Sequence, residues 1–188
     1  MDMTTRETWT VIHGLVLGTL FLLAFAGGLA GLWSLRPGFL TADGIRERMR
    51  RLYIGVWVMA GTAWLTVITG TWIVYPWYRE NLAGETQEAC AGLDLPNNEC
   101  SPRDFLISNA SGDTDQWHKF GMEWKEHIAW AAPFLATGAA FVIVYYGPRL
   151  ISRPWLRAMT IVMFVAAFAA AVVGGAFGAF INKVAPIA

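Results

Sequence analysis

The sequence predicts an all-α integral membrane protein, a four-transmembrane-helix bundle with up-down-up-down topology. Three observations predict it. Of the 188 residues 55% are apolar and only 15% charged. The apolar residues collect in four runs, each long enough to cross a hydrocarbon layer of about 30 Å. The arginines gather in two short stretches between those runs, as the positive-inside rule leads one to expect. A disordered chain would be poorer in apolar residues and richer in net charge. No basic excess points to nucleic acid, because Lys plus Arg and Asp plus Glu balance at 14 each.

The first span is read at about 11–33. It is too long and its flank too acidic (Asp2, Arg6, Glu7) for a cleaved signal peptide, so it is expected to stay in the mature chain. Thr4 and Glu7 have capping-box spacing, which places the helix start near Thr5. The second span is read at 52–77, the third at 127–147 and the fourth at 158–181, forming one membrane domain over residues 1–188. The stretch Ser34–Arg51 holds Arg36, Arg46, Arg48, Arg50 and Arg51, and the link after span 3 holds Arg149, Arg153 and Arg157. Both are expected to be cytoplasmic. The acidic loop 78–117 and both termini are then expected outside, in a plasma (inner) membrane, on its periplasmic or extracellular side.

Two cysteines, Cys90 and Cys100, lie in that loop, where the oxidising side favours a disulfide. A comparison with four-helix quinone-linked disulfide oxidoreductases is set aside for want of a Cys-x-x-Cys pair. Asn109-Ala110-Ser111 matches a glycosylation acceptor, a short pattern of little specificity. Trp9, Trp33, Trp72, Trp77, Trp117, Trp124, Trp130 and Trp155 fall near span ends, the usual place for interfacial anchors. Gly14 with Gly18, Gly27 with Gly31, and Gly174 with Gly178 have small-xxx-small spacing, ordinarily a device for close helix approach.

Chemistry must come from few residues. An ionisable group within a span is a functional hypothesis by default, and the four apolar runs contain only His13 and His127, the latter at an edge. The lack of a mid-membrane acid or base argues against a proton pump or a transporter. His13 lies 23 residues before Arg36 and His127 lies 22 before Arg149, about 34 and 33 Å at helical rise. The two imidazoles are therefore expected at matched depth on two helices, an arrangement suited to the axial ligands of a b-type haem. Gly14 and Gly18 would offer the macrocycle a strip free of side chains, and Arg79, Lys125 and Lys183 could pair with its propionates. Pro133 would bend span 3. The ordinary account of each histidine is an interfacial residue bonded to backbone or water.

A second constellation overlaps the first. His118, Glu123 and His127 could bind zinc or copper if the helix breaks at Gly121; otherwise His118 stands two and a half turns from His127. In outline the design loosely resembles four-helix membrane cytochrome b subunits, with no motif close enough to carry residues across. Two functions follow as expectations. One is an electron-transfer subunit with haem b and a quinone, linking the quinone pool to an outer-face redox partner. The other is a cofactor-free accessory subunit of a larger respiratory or photosynthetic complex, with lipid and neighbouring subunits as its partners.

Overall fold

The computed structural model describes residues 3, 5–36, 41–79, 101–108 and 115–183. Among them there is no strand, and four helices are long and apolar enough to cross a membrane: Glu7–Ser34, Asp43–Arg79, Trp117–Leu150 and Pro154–Ile181, here spans 1 to 4. This is a multi-pass membrane protein. Cys90, Cys100 and the Asn109 acceptor lie outside the described residues, as does Thr4 of the capping box, although the first helix does begin at Thr5.

The helices outrun the apolar stretches that announce them. Span 2 begins a full two turns before Leu52, because Thr41 accepts a hydrogen bond from the Gly44 amide at 3.2 Å and caps the helix Ala42–Thr69. Glu47 then pairs with Arg50 and Arg51 one turn on, at 3.3 and 2.7 Å. The basic run Gly44–Arg51 is thus helical rather than loop. Span 3 likewise begins at Trp117, ten residues before the apolar stretch, and the connection before it contains the short helix Pro102–Ser108. Ser101 caps that helix reciprocally, accepting from the Asp104 amide at 3.2 Å and donating to its carboxylate at 2.6 Å. Within span 3 the α-helix runs through Pro133, which is buried, to Tyr146, and the 3-10 turn Gly147–Leu150 takes over at Gly147. There φ is +49°, a conformation that glycine adopts without the Cβ penalty, and Pro148 follows.

Each span packs on the next in sequence, and spans 1 and 4 meet through a thinner contact. The start of span 1 touches the end of span 2 through His13 and Gly70, and the end of span 1 meets the start of span 4 through Leu35 and Arg157. Neighbouring helices are therefore antiparallel. In lipid the association of helices depends on close packing more than on a hydrophobic drive, and small residues supply it unevenly. Gly28 lies under the Phe164 ring, Gly31 under Leu52, and Gly174 against Ile128 and Ala129. Gly14, Gly18 and Gly27, expected to pack in the same way, have open space where a side chain would begin.

The apolar interior is one cluster containing Leu32, Met59, Ala140, Ile143 and Phe164. It occupies the half of the bundle nearer the arginines. Spans 2 and 3 are further joined by an aromatic chain in which Trp72 meets Trp130 at 6.1 Å, Trp130 meets Trp64 at 6.1 Å, and Trp64 meets Phe134 at 5.1 Å. The half-buried indole of Trp64 donates to Thr137 Oγ1 at 3.0 Å.

Candidate functional site

Three π-helical turns lie at the end of the bundle away from the arginines: Ile12–Val16, Gly70–Val74 and Trp117–Gly121. Such turns insert a residue and rotate the helix beyond it, and they are found disproportionately at functional sites. The first carries His13, the second opens with the glycine against which His13 rests, and the third carries His118.

His13 is half-buried. A Cβ on Gly70 would lie 2.7 Å from its Cε1, so only a glycine lets the ring sit there. Its Nδ1 is 3.2 Å from Thr69 Oγ1. The Thr69 hydroxyl has one proton and places it 2.7 Å from its own helix's Leu65 carbonyl. That oxygen can then accept from Nδ1 of His13, and the Thr66 carbonyl is a second acceptor beside the ring. For His127 the partner decides. Its Nδ1 lies 2.7 Å from the Glu123 carbonyl, an atom that can only accept, so the proton is on Nδ1. A histidine that donates from Nδ1 to an oxygen keeps its lone pair on Nε2, the form that binds metals.

The two rings differ in setting. His13 is wedged between spans 1 and 2, whereas His127 is exposed on span 3. Gly14 and Gly18, beside His13 in sequence, have no atom of the described residues within 4 Å of where a Cβ would stand. His118 is buried and stacks on Tyr78 at 6.2 Å between ring centres, with Nδ1 2.9 Å from the phenol oxygen. Glu123 is exposed and faces Arg79 at 3.9 Å, and the Arg79 guanidinium lies 5.3 Å from the centre of the Tyr75 ring. Among the described residues no three His, Cys, Asp or Glu side chains converge as a metal site. Of the expected propionate partners, Arg79 is occupied with Glu123, and Lys125 lays its ammonium 3.4 Å from the Cβ position of Gly178, between spans 3 and 4. The side chain of Lys183 lies outside the described residues.

Sequence reasoning missed four participants: Thr69, Gly70, Tyr78 and Glu126. One carboxylate oxygen of Glu126 is buried without a hydrogen-bond partner among the described residues, and the side chain is close to the Tyr75 hydroxyl. Thr69 and Gly70 are ordinary residues of a membrane helix, and nothing in their spacing marks them out as the seat of a histidine.

The fold is that of a multi-pass membrane protein with four long apolar helices, and at this end of it His13 and His127 each have Nδ1 against an oxygen. The chain matches no protein family, no curated protein and no solved structure.

Proposed function

We propose that the protein is a membrane electron-transfer subunit holding a b-type haem near the outer face, with His13 and His127 as axial ligands. What supports this most is that Nδ1 of each imidazole lies against an oxygen, Thr69 Oγ1 for His13 and the Glu123 carbonyl for His127, the contact that leaves Nε2 to a metal when Nδ1 donates. In donor chemistry the residues fit the group. Thr69 and the Glu123 carbonyl orient the ligands, Gly70 makes room for one of them, and Gly14 and Gly18 leave a face of span 1 open to a flat macrocycle. Lys125, Lys183 and Arg79 are the cations available to propionates, Arg79 after exchange from Glu123. The chemistry such a haem supplies is one-electron transfer, here between the quinone pool and an outer-face redox partner. In this reading the arginine-bearing stretches are cytoplasmic, the termini and the long connection are outside, and other subunits complete the complex.

One observation favours a second reading. His127 is exposed on the outside of the bundle, as a residue turned to lipid, headgroups or a neighbouring chain would be. A cofactor-free accessory subunit of a larger membrane complex would need no more.

A visible spectrum of the protein from haem-replete cells separates the two. The haem reading expects a sharp reduced α-band, confirmed as protohaem by pyridine haemochrome. His13→Ala and His127→Ala should each abolish the low-spin signal. No visible absorption would transfer the assignment to the accessory subunit, and a low-spin haem surviving both substitutions would remove these ligands.

A further inference from the structure

At the other end of the bundle a cavity of about 170 Å³ opens between the end of span 1 and the start of span 4. It is lined by Trp33, Arg36, Pro154, Arg157, Ala158 and Ile161. We propose that this cavity binds the phosphate headgroup of an anionic phospholipid, with Arg36 and Arg157 as its cationic partners. The inference is independent of the haem reading.

Charge makes the first argument. Neither guanidinium has a carboxylate partner among the described residues; Arg50, Arg51, Arg79 and Arg103 do, while Arg46, Arg48, Arg149 and Arg153 share the lack, so what sets Arg36 and Arg157 apart is that both line one cavity. Two cations left uncompensated beside one cavity at a membrane edge call for an anion. Both are also held in place. The Arg36 guanidinium carbon lies 4.1 Å from the centre of the Trp33 ring, a cation–π contact that holds it beside the cavity. Arg157 donates through one Nη to the carbonyl of Leu35, the residue that follows span 1, and a guanidinium has five N–H donors. Its other donors remain for an oxygen anion, and arginine's planar fork matches phosphate.

The walls make the second argument. The same cavity is bounded by apolar side chains, Ala158 and Ile161, that continue along span 4 into the bilayer, and by Trp33, which is 59% exposed and sits where an indole anchors at the interface. A free phosphate would use the arginines alone. A phospholipid would use the arginines for its headgroup and the span 4 surface for an acyl chain. The volume exceeds what a single water requires several-fold.

The test is native mass spectrometry and thermal unfolding of the full chain in mild detergent. It is titrated with phosphatidylglycerol, with phosphatidylcholine and with inorganic phosphate. Phosphatidylglycerol should stay bound and raise the Tm, while the other two should do neither. Arg36→Gln and Arg157→Gln should each weaken phosphatidylglycerol roughly fivefold, the factor expected for loss of one cation near the surface, and Arg36→Lys should keep most of the binding. Arg50→Gln, at an exposed arginine that already faces Glu47, should bind as the unaltered chain does. Because Arg157→Gln also removes the clasp on Leu35, Arg36→Gln decides the matter. Undiminished binding by Arg36→Gln, equal binding of phosphatidylcholine, or an equal Tm rise with inorganic phosphate would each overturn the assignment.

Discussion

Truncating Phe164 to alanine should lower stability by about 3 kcal/mol, the largest loss expected from any single substitution in the apolar interior. Its ring is fully buried and stacks on Phe25 at 5.5 Å, and Phe25 in turn stacks on Phe168 at 4.0 Å. In a soluble core such a truncation costs about 3–5 kcal/mol. Lipid tails are as apolar as the interior they replace, so the transfer contribution is small here and the loss comes from dispersion contacts and the cavity left behind. That sets the figure at the low end. The ring rests in a notch on span 1, where a Cβ on Gly28 would come within 2.5 Å of Cζ. Gly28→Ala should therefore also destabilise, by about 1–3 kcal/mol through overpacking. The two sites touch, so their effects should not add. Phe164→Leu combined with Gly28→Ala should be milder than the sum of the two alone, read from unfolding in detergent. Strict additivity would mean that the ring does not occupy the Gly28 notch.

Phe164 and Gly28 also show what the sequence conceals. That span 1 carries a glycine face was legible from the four-residue spacing of Gly27 and Gly31. Which of two adjacent glycines meets a neighbour depends on helix rotation, and it is Gly28 and Gly31 that do. The membrane cores of the spans were legible because a run of apolar residues has no other stable home than lipid or a helix core. Their ends were not, because hydropathy fades where helices continue into water. Ala42–Arg51 stays helical through the Thr41 cap and the Glu47–Arg51 pair, signals of local structure that a hydropathy reading passes over. The histidines divide in the same way. Counting residues at helical rise places an imidazole along its own helix but does not aim it. Aim is set here by π turns and by the register between spans 1 and 2, which bring Thr69 and Gly70 to His13. No local sequence pattern encodes that register.

Gly70→Ala should displace the His13 ring, and it is the sharpest probe of the proposed ligand. An alanine Cβ would stand 2.7 Å from Cε1, 3.3 Å from Nε2 and 3.4 Å from Nδ1. The contact is with the ring itself rather than with the end of a flexible chain, so the imidazole must move and the 3.2 Å bond to Thr69 must lengthen or break. In protein labelled with nitrogen-15 at histidine, the ring-nitrogen resonances of His13 should shift or broaden while those of His127 are unchanged. Thr69→Val provides the complement, since it keeps the shape of the side chain and removes the acceptor. It should release the tautomer without pushing the ring away. Gly61→Ala is the control, because open space lies beside Gly61 and neither signal should respond. In protein carrying haem, Gly70→Ala should cut retention tenfold or more, equivalent to about 1.4 kcal/mol, and Thr69→Val should reduce it less. If Gly70→Ala shifts the His13 resonance yet leaves a bound haem's low-spin signature intact, His13 is seated as described but does not ligate. If the resonance itself is unmoved, the seat is wrong. Packing and ligation are thereby separated at a single glycine, because the steric contact acts on the ring directly and on the iron only through it.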